Sequence, residues 1–244
     1  MMKPNEPQTI SERFEAIQEK ITLAAQAVGR RPQDIQLVVV TKGHPLEAVQ
    51  EVVTVGADHL GENYVEEAVG KISQAGFAPG IAWHMIGHLQ SRKAKTVCDH
   101  FQWLHSLDSL KLAGRLSTFA LESQRVLPVL LECNLSGETT KFGWRLETSR
   151  WVDFLTPVAQ INSLPGLRLV GLMTMAPYYA EPENARPVFA GLRRLQEYLL
   201  ENTPGLDLPH LSMGMSDDFE VAIQEGASLV RIGTAILGPR PVKA

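Results

Sequence analysis

A lysine that directly follows a run of valines is the residue in this sequence best suited to covalent chemistry. Lys42 comes two positions after Val38-Val39-Val40, where a buried strand would end. Partial removal of an amine from water favours its neutral form, and the neutral amine is the nucleophile that condenses with aldehydes. The alternative is an ordinary strand-end lysine whose ammonium reaches solvent. Lys42 alone therefore indicates Schiff-base chemistry without establishing it.

Two loops near the C-terminus have the composition of an anion site. Residues 212–218 read SMGMSDD, in which Ser212 and Gly214 precede Ser216, a candidate helix N-cap. Gly233 and Thr234 open a second short helix farther along the chain. Glycine lets backbone amides approach an anion, and hydroxyls add donors. The alternative is that both glycines only make tight turns; with Lys42 opposite, the loops fit a phosphorylated aldehyde.

The elements that would position these residues alternate between short apolar runs and amphipathic stretches. Eight runs are candidate strands, and helix-length segments separate them, which indicates a parallel sheet covered by helices. The runs are Ile35–Thr41, Asp58–Leu60, Ile81–Ile86, Trp103–His105, Leu127–Cys133, Leu167–Leu172, Leu208–Leu211 and Leu229–Ile232. The helical stretches lie near residues 45–54, 64–75, 90–98, 108–122, 148–159, 182–201 and 217–225, with a short one after Gly233.

Eight repeats are the number that closes a barrel, and such a barrel takes roughly 250 residues. Ahead of the first repeat, Thr9 and Glu12 have capping-box spacing, and a helix is predicted from there to Gly29. We therefore expect residues 1–244 to form one domain, a (β/α)₈ TIM barrel with an extra N-terminal helix. In that fold the site lies in the loops after the strands, where Lys42, the 212–218 loop and Gly233 meet.

Composition excludes several classes of protein. The 244 residues include 23 basic and 27 acidic ones, a formal net charge of −4, which gives no electrostatic footprint for nucleic acid or an anionic membrane. No apolar run approaches the roughly 18 residues of a transmembrane helix, and the N-terminus lacks the apolar core of a secretory signal. Two cysteines are too few for a disulfide framework. A cytoplasmic protein is expected.

A metal site and thiol catalysis have weaker support. His84 and His88 are four residues apart, but they straddle a predicted strand end and lack the glutamate of a zinc-helix motif. His84 is expected to pack near a ligand or to hydrogen-bond inside the barrel. Neither Cys98 nor Cys133 stands in a loop beside a partnered histidine, so a thiol nucleophile is not predicted. We expect no metal.

Seven motifs together resemble one known family. VVVTKGHP, GENYVEE, WHMIGHLQSRK, SGETTKFG, GLMTMAP, LSMGMSDDFEVAI and VRIGTAILG look like successive signatures of the pyridoxal phosphate homeostasis proteins. Those proteins are similar in fold to the barrel domain of bacterial alanine racemase. The resemblance runs from about residue 9 to residue 240.

The resemblance implies a cofactor and the residues around it. Pyridoxal 5′-phosphate (PLP) would be bound covalently as an aldimine to Lys42, and Arg231 would face its pyridine nitrogen. A fixed cation there disfavours a protonated ring, which makes the ring a poorer electron sink. The residues implied to surround the phosphate are Ser212, Gly214, Gly233 and Thr234, and those implied to line the rest of the cofactor are Asn63 and His84.

The function implied is a carrier and regulator of PLP that supports vitamin B6 and amino-acid balance. No catalytic residue is assigned, and substantial catalysis is not expected. The implied partners are PLP and PLP-dependent apo-enzymes, with no nucleic acid and no membrane, and the protein is expected to be a monomer. The alternatives are a PLP-dependent amino-acid racemase-like enzyme, a lysine Schiff-base aldolase and an interaction protein with an empty pocket.

Overall fold

The computed structural model describes residues 9–74, 80–138 and 142–241. Thr139, Thr140 and Lys141 of the SGETTKFG motif lie outside the described residues. The first helix, α1, spans Ile10–Ala27 and begins with the predicted capping box, in which Glu12 and Thr9 satisfy each other's backbone N–H groups. It packs against the last two helices of the chain.

Eight parallel strands form the closed barrel that the alternating pattern predicts. They are β1 Gln36–Val40, β2 His59–Glu62, β3 Ala82–Met85, β4 Trp103–Leu107, β5 Leu127–Asn134, β7 Leu167–Met173, β8 His210–Ser212 and β9 Leu229–Ile232. Each pairs with its neighbour in chain order, β1 pairs with β9, and pairing of β4 with β5 completes the ring. A two-residue strand, β6 (Trp144–Arg145), adds in parallel to the end of β5 and was not predicted.

Helices connect the strands on the outside of the barrel. They are α2 Leu46–Thr54, α3 Val65–Gln74, α4 Ala94–His100, α5 Leu110–Glu122, α6 Trp151–Asn162, α7 Arg186–Asn202, α8 Phe219–Gln224 and α9 Thr234–Leu237. The predicted segments near 90–98 and 182–201 each begin as a short 3₁₀ turn before the α-helix. The main core lies between strands and helices, and a smaller apolar cluster around Val38, Leu130, Val170 and Leu229 fills the barrel interior.

A chain of hydrogen-bonded polar side chains crosses the barrel interior. His59 Nδ1 lies 2.8 Å from His84 Nε2, and His84 Nδ1 lies 2.8 Å from His105 Nε2. His105 Nδ1 is 2.9 Å from Ser212 Oγ, to which Arg231 donates at 2.7 Å. The chain runs from the first residue of β2 to the carboxyl ends of β8 and β9, so it leads toward the mouth of the barrel.

The direction of donation along this chain follows from its upper end. Arg231 can only donate, so Ser212 Oγ accepts from it. Among the described residues, His105 Nδ1 is the acceptor that lies within reach of the Ser212 hydroxyl hydrogen, so Ser212 donates to it. A neutral His105 then carries its proton on Nε2 and donates to His84, which in turn donates to His59. Burial, followed by neighbouring charges, holds the pKa values of His84 and His105 well below their ordinary range. Both rings are therefore neutral.

These buried neutral histidines predict acid-sensitive stability. The unfolded chain takes up a proton on each below about pH 6.5 while the folded chain does not, so stability is full above that pH and declines below it. Each histidine should lower the free energy of unfolding by about 1.4 kcal/mol per pH unit in that range. Urea unfolding between pH 8 and pH 5 measures this.

His105→Gln is the matched comparison, because a glutamine can still donate and accept but does not titrate. Below pH 6.5, the free energy of unfolding should depend less steeply on pH in this variant. The difference in slope should equal the contribution of one histidine, about 1.4 kcal/mol per pH unit. An identical slope in the variant and the natural protein would contradict a neutral His105.

Candidate functional site

A cavity of about 230 Å³ lies at the carboxyl ends of β1 and β9. Five of the eight predicted site residues line it: Lys42, Asn63, Arg231, Gly233 and Thr234. Lys42 follows β1, Asn63 follows β2, and the other three belong to the end of β9 and the turn after it. The barrel brings them together because parallel strands end at the same rim.

Lys42 is half-buried in this cavity. Burial lowers the pKa of its amine, and the positive charges of Arg240 and Arg231 lower it further, against an opposing effect of Glu62. Burial and the two arginines outweigh Glu62, so together they favour the neutral, nucleophilic form of the amine. The prediction of a partly desolvated lysine after the valine run agrees with this geometry.

A buried ion cluster lies beneath the Lys42 loop. Lys71 is 2.6 Å from Glu62 Oε1 and 2.7 Å from Glu67 Oε1, and the side chains of Lys71 and Glu62 are 8% and 0% exposed. Thr41 Oγ1 also donates to Glu62 Oε1, at 2.7 Å. Burial raises the pKa of Glu62, whereas Lys71 and Thr41 oppose that rise by stabilising the carboxylate.

The same cluster holds the backbone on both sides of Lys42. Lys71 Nζ donates to the Thr41 carbonyl at 2.7 Å, and the Gly43 N–H donates to Glu67 Oε1 at 2.6 Å. Gly43 has φ +74, a conformation that disfavours a side chain. The residues before and after Lys42 are thus tied to one buried set of charges, which fixes the direction in which its amine enters the cavity.

Arg231 is the cation on the inner wall of the cavity. Its side chain is buried, with Nη1 donating to Ser212 Oγ at 2.7 Å and Nη2 donating to the Thr174 carbonyl at 3.0 Å. Burial lowers its pKa to about 10, with Asp218 and Glu132 opposing the decrease. The guanidinium therefore stays charged at neutral pH and has a fixed plane.

The two glycine-containing loops meet through Ser216, whose Oγ accepts from the Ala235 N–H at 3.3 Å. The predicted N-cap role of Ser216 in α8 is wrong, because that helix begins at Phe219 and Asp218 occupies the cap position. A Cβ on Gly233 would lie 3.0 Å from the Val40 carbonyl, so the turn after β9 packs directly on the strand that leads to Lys42. Backbone amides near Gly233 thus lie beside the cavity.

Three predicted residues are not on the cavity lining. Ser212 and His84 are fully buried members of the polar chain inside the barrel, and Ser212 reaches the cavity only through its bond to Arg231. Gly214 has φ +91, and a Cβ there would lie 2.6 Å from the Ala222 Cβ, so this glycine permits close packing of its loop on α8. The expectations that His84 contacts a ligand and that Ser212 and Gly214 contact its phosphate receive no support from these positions.

Eight other lining residues were not predicted as site residues. They are Val40, His44, Ile86, Met175, Met215, Ser216, Asp217 and Arg240. Most stand in the quoted motifs, directly after strands, and position in the barrel could have indicated them. Arg240 follows the last helix and carries no positional signal, yet it is the largest charged influence on Lys42.

The described residues contain no group of three or more histidine, cysteine, aspartate or glutamate side chains suited to hold a metal ion. Cys98 and Cys133 are buried free thiols, and burial raises the pKa of Cys98 to about 11. None of the helices in the described ranges is long and apolar enough to cross a membrane. The cavity itself combines a nucleophilic amine, backbone amides and a fixed guanidinium, which suits a small anion that carries an aldehyde.

The sequence matches the family model of the alanine racemase N-terminal domain over residues 13–241. It is 44% identical over 232 residues to the pyridoxal phosphate homeostasis protein of Pseudomonas aeruginosa, covering 95% of this chain and 96% of that one. With the protein of the same name from Escherichia coli K12 it shares 40% identity over 240 residues, covering 95% and 97% of the two chains.

Solved structures agree with these sequence matches. PipY of Synechococcus elongatus, determined with PLP bound, superposes with a TM-score of 0.82 at 34% identity and covers 94% of this chain and 100% of that one. Alanine racemase of Clostridium difficile superposes with a TM-score of 0.71 at 17% identity, covering 95% of this chain and 58% of the racemase, a likeness of fold alone.

The ion cluster beneath Lys42 predicts a large cost for removing its cation. Lys71→Met leaves the buried Glu62 carboxyl without its counter-ion, and loss of one partner of a buried pair costs about 3–5 kcal/mol. We expect a decrease of that size in the free energy of unfolding, measured by urea titration at pH 7.5.

The double variant Lys71→Met/Glu62→Gln is the control. It removes the uncompensated charge, while the glutamine oxygen can still accept from Thr41. It should be more stable than Lys71→Met alone. If the two variants have equal stability, the decrease in the free energy of unfolding does not come from an unpaired Glu62 carboxylate.

Proposed function

The chain belongs to the pyridoxal phosphate homeostasis protein family, and from this membership and the geometry of its cavity we propose that it binds PLP and holds it in reserve through Lys42. The observation that carries the proposal is the position of a half-buried amine with a lowered pKa in one cavity with Arg231 and the Gly233–Thr234 turn. PipY, a structural relative, has been determined with PLP bound.

The residues present fit the cofactor. PLP, when bound, supplies an aldehyde that an amine can capture and an aromatic ring that withdraws electrons. We propose that Lys42 provides the amine for covalent attachment, since burial and the charges of Arg240 and Arg231 favour its unprotonated form. The ion cluster that holds Thr41 and Gly43 would keep this amine directed into the cavity.

The phosphate end of the proposed ligand is assigned to the turn after β9. Gly233 and Thr234 line the cavity, Ser216 is hydrogen-bonded to the same turn, and Arg240 adds a positive charge on the lining. Backbone N–H groups and a hydroxyl are suitable donors to phosphate oxygens. Ser212 would act indirectly, by fixing Arg231, and Gly214 by shaping the loop between β8 and α8.

We propose further that the protein stores PLP and does not transform amino acids with it. Arg231 is buried and stays charged, and two hydrogen bonds hold its guanidinium plane. Opposite the pyridine nitrogen this cation would disfavour protonation of the ring and so weaken its capacity to take up electrons. A cytoplasmic location, a monomeric state and delivery of PLP to apo-enzymes stay predictions.

Borohydride reduction of the purified protein in the presence of PLP should leave one pyridoxyl group, attached at Lys42. The reason is that Lys42 combines access to the cavity with a lowered pKa, whereas Lys71 is buried and paired with two carboxylates. Peptide mass spectrometry locates the adduct.

Lys42→Ala should lose both the adduct and the visible absorbance of bound PLP but keep its fold, which circular dichroism checks. Weak retention of PLP through the phosphate donors is expected. Modification of another lysine at the same yield in both proteins would refute the assignment to Lys42.

Arg231 is tested by the absorbance of bound PLP against pH. In Arg231→Gln the ring nitrogen would be free to take a proton, so the spectrum should change between pH 5 and pH 9. Arg231→Lys keeps a cation and should resemble the natural protein, whose spectrum should be nearly constant over that range. A constant spectrum in a folded Gln variant would mean that Arg231 does not face the ring nitrogen.

A further inference from the structure

A second cavity adjoins the Lys42 cavity. Its volume is about 360 Å³, and it shares Asn63, Ile86 and Met175 with the lining of the first. We call it the annex. Because the two cavities have common walls, a molecule in the annex would lie next to whatever occupies the Lys42 cavity, yet the annex has its own set of polar groups.

The annex contains a buried carboxyl group, one oxygen of which lacks a hydrogen-bond partner among the described residues. Glu132, near the end of β5, is 4% exposed and lines the annex. Its Oε2 atom has no hydrogen-bond partner among the described residues. A Cβ on Gly143 would lie 2.6 Å from the Glu132 carbonyl and 3.0 Å from its Cγ, so the loop after β5 packs tightly against this side chain. The carboxyl is enclosed and still has an acceptor available.

A buried carboxylate oxygen without a donor destabilises the folded protein, and burial therefore favours the protonated, neutral form of the group. Burial, with a smaller contribution from Asp108, raises the pKa of Glu132 to about 7, against an opposing effect of Arg231. A ligand that supplied a donor and a positive charge would remove both penalties at once. A ligand with a negative charge would increase them.

The basic side chains on the annex wall already have carboxylate partners. His88 Nδ1 lies 3.1 Å from Asp108 Oδ2, and Lys93 Nζ lies 2.7 Å from Glu66 Oε2. Glu132 Oε2 thus lacks a donor among the described residues, whereas the basic side chains of the lining have carboxylate partners. This imbalance selects for a cationic ligand.

Much of the remaining wall is apolar or aromatic, beside the amide side chains of Asn63 and Gln90. Met85, Ile86 and Met175 line the annex, and the Phe142 ring stacks on His88 with centroids 3.8 Å apart. Such walls suit an aliphatic body, and an aromatic face attracts a nearby ammonium. The annex therefore suits a small molecule that has a polar group at one end and an apolar body at the other.

We propose that the annex binds a small primary ammonium ion with an apolar body, whose nitrogen donates to the Glu132 carboxylate. The body lies against Met85 and Met175, beside the Lys42 cavity. Binding is non-covalent and does not depend on the proposed attachment of PLP.

The test uses isobutylammonium as the probe, with isovalerate and isobutanol as probes of similar body but different charge. The protein is incubated with PLP and reduced with borohydride, so that no lysine–cofactor link can exchange with the added amine. Protein with methyl-¹³C methionine reports the place of binding by NMR. Met85 lines the annex only, Met215 lines the Lys42 cavity, and Met213 is a buried control outside both.

The Met85 methyl signal should shift and saturate with isobutylammonium, while isovalerate leaves it in place. Binding should be about tenfold weaker at pH 6 than at pH 8, because a carboxyl of pKa about 7 is ionised about one-tenth and about nine-tenths at those pH values. The groups that face Glu132 are Asp108 from the end of β4, Arg231 from β9, and His88 and Lys93 on the annex lining.

Glu132→Gln separates the contribution of Glu132 from that of His88. This variant should bind the amine at least about tenfold more weakly at pH 8, a loss of about 1.4 kcal/mol, and equally at both pH values. Glu47→Gln, on the exposed side of α2, is the matched control and should behave as the natural protein.

Unchanged amine binding in Glu132→Gln, a persisting pH dependence there, or preference for isovalerate in the natural protein would overturn the proposal. The last comparison needs no variant, so it decides the matter even if Glu132→Gln does not fold. If PLP does not attach, borohydride leaves the protein unmodified. The shift of the Met85 signal with isobutylammonium can still be measured, because binding in the annex does not depend on PLP. A shift at Met215 alone would place the amine outside the annex and also refute the proposal.

Discussion

The contact between Lys71 and its two carboxylates is the interaction on which the rest of the site depends. Lys42 lies in a turn, and a turn of three residues cannot by itself hold a long side chain in one direction. Glu62 and Glu67 hold the buried Lys71, which donates to the Thr41 carbonyl on one side of Lys42. On the other side, the Gly43 N–H donates to Glu67. The cluster of Lys71, Glu62 and Glu67 therefore holds the backbone of the loop in place. It also contains Glu62, the carboxylate whose charge opposes the lowering of the Lys42 pKa.

Charge is distributed so that the pKa of the amine at the centre is lowered. Arg231 and Arg240 lie near Lys42 and lower its pKa together with burial, while the negative charges of the ion cluster are engaged by Lys71. Arg231 would be unstable in the barrel without acceptors, and Ser212 and the Thr174 carbonyl provide them. The neutral histidines below Ser212 complete this arrangement, because a protonated ring there would add a second positive charge beside the guanidinium.

The fold and part of the site could be predicted from the sequence, because both depend on local patterns. Apolar runs at regular intervals define the strands, and the polar residues directly after them reach the barrel mouth, as Lys42 and Gly233 do. His84 lies within β3, as the sequence predicts, and of its two expected roles the structure shows the hydrogen bonding inside the barrel. Glu67 and Lys71 have the spacing of an ordinary surface pair on a helix, and only the tertiary structure shows that Lys71 is buried.

Two buried glutamates have an oxygen without a partner among the described residues, and the difference between them is informative. Glu62 has Lys71 at 2.6 Å and Thr41 at 2.7 Å on its other oxygen, so its free oxygen belongs to a carboxylate whose charge is already balanced. Glu132 has no such counter-ion among the described residues, and Arg231 acts on it only at a distance. Packing alone would favour an apolar residue at this position, since an unpaired buried acid is destabilising. A carboxyl kept there against that cost, on the wall of a cavity that adjoins Lys42, is best understood as one half of a pair whose other half is a ligand.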